Sequence, residues 1–176
     1  MLLKASGEKI ESKTKLHKEL YFISLLLNKD FGFKAHYYGP YSQEVEQGLD
    51  ELIGAGFVDV KCDSYGINQK KGFEAKKYEF YLSNVGRKLL DRLIEEYPKE
   101  NKTIKEFVDN LKDIGDLNYI SLSLAAKAYY IIDKEGKSMT YEQIIEKAKA
   151  FGWDVDVSNI DEAAKILLKL GFIQGK

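Results

Sequence analysis

Cysteine, histidine and proline are scarce in this sequence of 176 residues, which has one cysteine, two histidines and two prolines. The single cysteine, Cys62, excludes an internal disulfide and leaves too few thiolates for a structural zinc site. No apolar run approaches the roughly 20 residues that span a bilayer, and the N-terminus lacks the apolar region of a signal peptide. We therefore expect a cytoplasmic protein without a metal, a cofactor or a membrane anchor.

An excess of charge of one sign is also missing, because the formal net charge is −1. A role in nucleic-acid binding must then rest on local basic patches rather than on a strongly basic domain. The hydrophobic content of 44% and the aromatic content of 12% are typical of a chain that buries a core. The composition thus predicts a globular protein.

Two amphipathic helices are predicted early in the chain. Residues 12–27 place apolar side chains at helical spacing, with Ser12 or Thr14 as the N-cap. Residues 42–54 repeat this pattern after a start at Ser42. Between them, the tract KAHYYGPYS contains a Gly-Pro pair that stops regular structure, so we expect an extended segment and a turn. The predicted inward positions are Leu16, Leu20, Ile23 and Leu27 in the first helix, and Val45, Leu49, Leu52 and Ile53 in the second.

Two alternating strands follow, over residues 57–61 and 77–82, with a polar, glycine-containing loop over residues 62–76 between them. The order helix, helix, strand, loop, strand is typical of a winged helix-turn-helix, with the loop as its wing. We therefore predict an α+β, mostly α protein. Its predicted parts are a winged-helix unit (1–88), connecting helices (89–116) and a C-terminal helical unit (117–176).

Helices dominate the rest of the chain. They are predicted over residues 83–97, 103–114, 122–133, 140–151 and 158–170. Ser83, Thr140 and Ser158 are the expected N-caps. The strings ELIGAGFVDV and ILLKLGFIQG both end a helix with a glycine and a phenylalanine. This similarity suggests a second helix-turn-helix-like unit that lacks a wing, and coincidence is the alternative.

The run KTKLHKELYFI, followed by FKAHYYGPYSQEVEQGLDELIGAGFVDV, resembles the YwgA-like family of bacterial and archaeal proteins. More distantly it is similar to the SocA-like (Panacea) antitoxin domains. The similarity covers roughly residues 12–90 and is carried above all by the YGPYS turn that leads into a helix. It implies a winged-helix-like fold and a regulatory or toxin-neutralising role, and it brings no catalytic residues. Such domains have a full first helix, whereas here only MLLKAS precedes Gly7.

Motifs that would indicate an enzyme are not found in the sequence. His17 and His36 have no carboxylate or cysteine at a metal-ligand spacing. A nucleophile elbow, a Walker phosphate loop and a dinucleotide fingerprint are also missing. We expect His17 to be solvated or half-buried and His36 to pack beside Tyr37 and Tyr38. The favoured interpretation is a protein that is not an enzyme.

DNA binding is the leading functional hypothesis. The helix over residues 42–54 occupies the place of a recognition helix, where Ser42 begins the helix and Gln43 and Gln47 suit adenine. Its outward face also carries Glu44, Glu46, Asp50 and Glu51, which repel a polyanion. Phosphate contacts would therefore come from lysines elsewhere, with seven basic and three acidic side chains over residues 61–88. The candidate phosphate contacts are Lys13, Lys15 and Lys18 on the first helix, and Lys70, Lys71, Lys76 and Lys77 on the wing.

A protein partner or self-association is the alternative hypothesis, with an antitoxin-like module as its example. Tyr37, Tyr38 and Tyr41 surround the Gly-Pro turn, and Glu46 and Asp50 lie on the acidic helix. We expect the tyrosines to anchor the turn by packing, because a turn between two helices needs such support. The alternative is that they form a binding hot spot, for which tyrosine is well suited.

Overall fold

The computed structural model describes residues 1–68, 73–115 and 117–174, and of residues 65–68 and 73–75 it describes the backbone alone. Within these residues the fold is α+β and mostly helical, with eight helices and one antiparallel sheet of three strands. The predicted fold class is confirmed at this level. The elements are α1 (Leu2–Ala5), β1 (Lys9–Glu11), α2 (Lys13–Leu26), α3 (Gln43–Gly54), β2 (Val58–Asn68), β3 (Phe73–Leu82), α4 (Asn84–Glu96), α5 (Pro98–Ile114), α6 (Tyr119–Glu135), α7 (Tyr141–Ala150) and α8 (Val157–Lys169).

Side-chain caps fix most of the helix starts that the sequence predicts. The hydroxyls of Ser42, Ser83 and Thr140 each accept a bond from a backbone N–H in the first turn of α3, α4 and α7. The prediction for α8 was wrong, because Asp156 rather than Ser158 is its cap and forms a reciprocal capping box with Asn159. A carboxylate at this position also interacts favourably with the helix dipole.

The sheet has the strand order β1-β3-β2, with both pairings antiparallel. Strand β1 was not predicted, because three residues are too short to show alternation, and it forms by pairing with residues 79–81 of β3. Strands β2 and β3 extend through most of the loop predicted over residues 62–76. Beyond the short β1, the two strands therefore continue as a two-stranded hairpin.

A single cluster of buried apolar side chains connects all three predicted parts of the chain. At its centre Phe22 of α2 is fully buried. Its ring lies 6.1 Å from that of Phe107 in α5 and 4.8 Å from that of Phe172 after α8. Helix α5 begins at Pro98, five residues before its predicted start, because proline is favourable in the first turn where no backbone N–H donor is needed. The boundaries between the three parts stay predictions.

The recurring glycine and phenylalanine mark a helix stop. After α3, Gly56 has a φ of 73° and Phe57 N–H donates to Leu52 O at 2.9 Å. After α8, Gly171 has a φ of 77° and Phe172 N–H donates to Leu167 O at 2.9 Å. This 6→1 bond defines the Schellman motif, in which glycine adopts the left-handed conformation at low cost. The same pattern ends α7 at residues 152–153, so the similarity reflects a common C-cap and does not by itself indicate a repeated unit.

Candidate functional site

The connection between α2 and α3 contains a short ordered loop, residues 34–41, which we call the tyrosine segment. Its two ends pair as an isolated bridge, since Lys34 and Tyr41 exchange two backbone hydrogen bonds of 2.9 Å. Inside the loop, Gly39 N–H donates to His36 O at 2.9 Å, and Gly39 has a φ of 95°. A residue with a side chain rarely adopts that conformation, so the turn depends on this glycine.

Side chains from the C-terminal third of the chain bind the backbone of the tyrosine segment. The three bonds run from Ala35 N–H to Tyr130 Oη (3.1 Å), from Trp153 Nε1–H to His36 O (2.7 Å) and from Ser123 Oγ–H to Tyr38 O (2.6 Å). Trp153 is 1% exposed and stands among the rings of Tyr130 and Phe151. Since a buried polar group without a partner is costly, these bonds favour one conformation of the loop.

Lys18 of α2 provides a fourth bond, with Nζ donating to Pro40 O at 2.5 Å. The side chain is 2% exposed, and burial lowers the pKa of Lys18 to about 7, with the charge of Lys127 adding to the effect. A Cβ placed on Gly39 would lie 3.1 Å from Lys127 Cγ and 3.3 Å from Lys18 Cε, so the loop packs closely on α2 and α6. This corrects the assignment of Lys18 to a DNA phosphate, which requires an exposed ammonium group.

Two tyrosines of the segment point outward. Tyr37 is 60% exposed and Tyr38 is 42% exposed, and their rings form an edge-to-face pair with centroids 4.8 Å apart. The expectation that all three tyrosines anchor the turn by packing was therefore wrong for these two. Tyr41 does pack, because its ring stacks on that of His17 at 4.7 Å. The segment thus has an anchored backbone and an exposed aromatic pair.

His17 links the tyrosine segment to α3. It is 2% exposed, which corrects the expectation of a solvated or half-buried side chain, and its Nε2 lies 3.1 Å from Glu46 Oε2. Burial lowers the pKa of His17, although the hydrogen bond to Glu46 opposes the shift. Lys13 donates to the other carboxylate oxygen of Glu46. The His36 ring lies 5.1 Å from the Tyr41 ring, whereas the sequence predicted that His36 would pack beside Tyr37 and Tyr38.

The exposed side of α3 is acidic and polar. Gln43, Glu44, Gln47, Asp50 and Glu51 are exposed, and the helix contains no lysine or arginine. Glu46, which the sequence predicted to face outward, is half-buried against Lys13 and His17. A concavity of about 350 Å³ lies between α3 and the tyrosine segment. Its wall is formed by Gly32, Lys34, Ala35, His36, Tyr41, Gln43, Glu44 and Gln47.

The helical residues proposed for DNA contact are mostly engaged within the protein. Ser42 is fully buried, and its hydroxyl donates to Phe31 O while capping α3, which corrects its assignment to a DNA contact. Gln47 Nε2 donates to Glu51 Oε1 at 2.9 Å. The Lys13 ammonium group forms an ion pair with Glu46, and Lys15 is half-buried on α2. Gln43 and Gln47 are the members of this group that are exposed on α3.

Two of the lysines proposed for the wing, Lys70 and Lys71, lie outside the described residues. Lys76 and Lys77 are exposed on β3. Lys77 Nζ lies 3.1 Å from Glu79 Oε1, within a network of ion pairs that also contains Lys9 and Glu11. Carboxylates therefore offset much of the positive charge on this face of the sheet.

Comparison with protein-family models and with curated proteins finds no match for this chain. Among the described residues, no cluster of three or more histidine, cysteine, aspartate or glutamate side chains is arranged to hold a metal ion. No helix within the described ranges is long and apolar enough to cross a membrane. The candidate site therefore rests on its own geometry.

Sequence reasoning missed the residues that hold the tyrosine segment, namely Ser123, Tyr130 and Trp153. Each lies more than 80 positions from its partner in the loop, and no local pattern connects them. Trp153 is the single tryptophan of the chain, and its indole N–H requires a partner when buried. That requirement was the one signal in the sequence for such a bond, and it does not identify the acceptor.

Proposed function

We propose that this protein is an interaction module of winged-helix type that binds an arginine-containing segment of a partner protein. The observation that carries the proposal is the exposed pair Tyr37 and Tyr38, held on an anchored loop, other residues of which share a concavity with the acidic helix α3. Tyrosine and arginine are enriched among the residues that dominate binding energy at protein interfaces. The guanidinium group suits both features, because it stacks on aromatic rings and pairs with carboxylates.

The anchored backbone supports binding because a preformed loop does not lose conformational freedom when the partner arrives. The segment has its two ends paired, and four side chains bind its interior. Adaptable loops must be ordered on binding, and each immobilised side chain costs roughly 0.5–1.5 kcal/mol. An exposed aromatic pair on a rigid support is therefore better explained by recognition than by packing within the fold.

Charge supports a basic partner over DNA at this surface. Glu44, Asp50 and Glu51 are exposed on α3, and Lys13 is engaged by Glu46. A polyanion would be repelled by these carboxylates, whereas a basic peptide gains electrostatic attraction and a faster association rate. The connection between α2 and α3 is also much longer than the turn of three or four residues in a helix-turn-helix.

The winged-helix part of the proposal rests on topology. The elements follow the order α1, β1, α2, α3, β2, β3, and β1 pairs with β3 to give the strand order β1-β3-β2. A winged helix likewise pairs the strand before its two central helices with the second strand of its hairpin. The antitoxin-like role suggested by the resemblance is one form that such an interaction module can take.

The test uses a fluorescent peptide of arginine and glycine repeats, with a glutamine-for-arginine peptide as its control. We expect the arginine peptide to bind, and the double exchange Tyr37→Ser and Tyr38→Ser to weaken binding at least about tenfold. Tyr97, which is 40% exposed at the junction of α4 and α5, provides the matched control exchange Tyr97→Ser. Equal affinity of the wild type and the double variant would show that the tyrosine pair is not the binding surface.

DNA binding is a second candidate, favoured by the hairpin of β2 and β3. The hairpin continues beyond its pairing with β1 and carries the exposed residues Lys76 and Lys77, with Lys70 and Lys71 between its strands in the sequence. A basic two-stranded ribbon is one of the structures that enter DNA grooves. We expect affinity for random duplex DNA to fall steeply with salt, and exchange of all four lysines for glutamate to abolish it. Binding that is absent even at low salt would refute this candidate.

A further inference from the structure

A second cavity, of about 520 Å³, lies between β1, α2, α5 and the N-terminal end of α6. It shares no wall residue with the concavity beside α3. Ile10, Leu111 and Leu122 contribute an apolar surface, while Ser6, Lys15 and Glu19 contribute polar groups. We call it the Glu19 cavity. Its size falls in the range of sites that bind small molecules.

The carboxyl group of Glu19 gives this cavity its chemical character. Glu19 is 3% exposed, and its Oε2 is buried without a hydrogen-bond partner among the described residues. The hydroxyl of Ser6, also in the wall, is a second buried polar atom without a partner in the described part of the chain. Leaving such groups unpaired is costly, and the cost is larger for a group that can ionise. Within the described ranges both atoms therefore lack a donor, and both residues line the cavity.

The charges around Glu19 restrict the class of ligand. Lys15 lies one helical turn away and its charge stabilises the ionised carboxyl group, although it does not bond to Oε2. Lys9 is engaged by Glu11 and Glu79, and Lys112 donates to Ala5 O at 2.9 Å. Above pH 7, where Glu19 ionises, an anion would be repelled by its carboxylate in the cavity wall. A metal ion would need further carboxylate or imidazole ligands, and no such cluster exists among the described residues.

A positively charged nitrogen donor meets these conditions, because its hydrogen bond to a carboxylate is roughly twice as strong as one between neutral groups. We propose that the Glu19 cavity binds a small molecule with a primary ammonium group on an apolar body. The ammonium group donates to Glu19 Oε2 and Ser6 Oγ, and the apolar body packs on Ile10, Leu111 and Leu122. This site is independent of the proposed protein interface.

Isoamylamine is a suitable probe, since it combines a primary ammonium group with a branched apolar body. For a ligand of this size, a Kd on the order of 1 mM is expected. The protein is labelled with ¹³C at glutamate carboxyl groups, and Glu19 is assigned from the resonance that disappears in Glu19→Gln. We expect saturable movement of the Glu19 resonance with isoamylamine, and none with isocaproate, which replaces the ammonium group by a carboxylate. The pKa of Glu19 should fall when the amine binds.

Two variants separate specific binding from general charge attraction. Glu19→Gln keeps the shape of the side chain and should weaken binding of isoamylamine about tenfold or more. Glu106→Gln removes an exposed carboxylate of α5 that lies outside the cavity wall, and should bind the amine as the wild type does. Equal binding by wild type and Glu19→Gln, or a Glu19 resonance that does not respond to the amine at about tenfold the expected Kd, would overturn the proposal.

Discussion

The exchange Glu19→Gln should stabilise the protein in a strongly pH-dependent way. Burial raises the pKa of the Glu19 carboxyl group from 4.5 to about 7, opposed in part by the charge of Lys15. A difference of one pKa unit corresponds to about 1.4 kcal/mol, so the folded state disfavours the ionised form by about 3 kcal/mol. Glutamine has nearly the same shape and cannot ionise, so the variant does not carry this cost.

The sign follows from the two pKa values. Below pH 4.5 the carboxyl group is protonated in both the folded and the unfolded protein, so ionisation has no effect on stability. Between pH 4.5 and about 7 the unfolded chain ionises while the folded protein keeps its proton, so the free energy of unfolding of the wild type decreases as the pH rises. Above pH 7 the loss is complete. The difference between variant and wild type should thus grow from near zero to about 3 kcal/mol.

Urea unfolding, followed by circular dichroism at several pH values, measures this difference directly. Glu11→Gln is the control, because ion pairs with Lys9 and Lys77 lower the pKa of the exposed Glu11. That variant should show no gain in stability with rising pH. Free energies of unfolding that run parallel for Glu19→Gln and the wild type across this pH range would refute the reasoning, and would mean that the Glu19 carboxyl group is solvated.

Three further exchanges test the packing of the structure. Lys18→Met should stabilise the protein near pH 7 by about 3 kcal/mol. This net value is the gain from removing a buried ionisable group, less about 1 kcal/mol for the lost hydrogen bond. The gain should shrink as the pH rises from 7 to 10.5, since burial lowers the pKa of Lys18 to about 7; urea unfolding that shows no such trend would contradict its burial. Gly86→Ala should lower the melting temperature, because the added Cβ would lie 2.1 Å from Phe57 O. We expect a cost of about 2 kcal/mol or more in the free energy of unfolding, although alanine has the better helix propensity. An unchanged melting temperature would contradict this close approach. Trp153→Phe removes the donor to His36 O and should cost about 1–3 kcal/mol, with faster amide hydrogen exchange in the tyrosine segment; unchanged exchange would show that the bond does not hold the loop.

Local patterns in the sequence were sufficient for most helices. A capping side chain followed by apolar residues at helical spacing acts within a single turn, which is why Ser42, Ser83 and Thr140 were predicted correctly as caps. For α8 the same rule favoured Ser158, but the chain uses Asp156, two residues earlier. The type and existence of these helices depend on local interactions, whereas the exact start depends on a competition between neighbouring caps.

Helix α2 shows where periodicity fails. The predicted inward face included Leu20, which is only partly buried, whereas Lys18 and Glu19 are almost completely buried. The helix lies between β1 on one side and α5 and α6 on others, so it buries much more than one stripe. An amphipathic pattern describes a helix with one covered face. It therefore assigns the charged residues of α2 to solvent, although tertiary contacts cover them.

The candidate interface depends on contacts that no local pattern encodes. The sequence identified the tyrosine tract and its turn, but whether Tyr37 and Tyr38 pack inward or point outward depends on side chains of the C-terminal third. Trp153 and Ser123 bind the backbone of the loop and leave both tyrosine rings exposed. Because the loop is fixed by α6 and by the chain after α7, the C-terminal third is part of the proposed binding site rather than an appendage to it. The predicted division of the chain separates the two tyrosines from the residues that hold them in place.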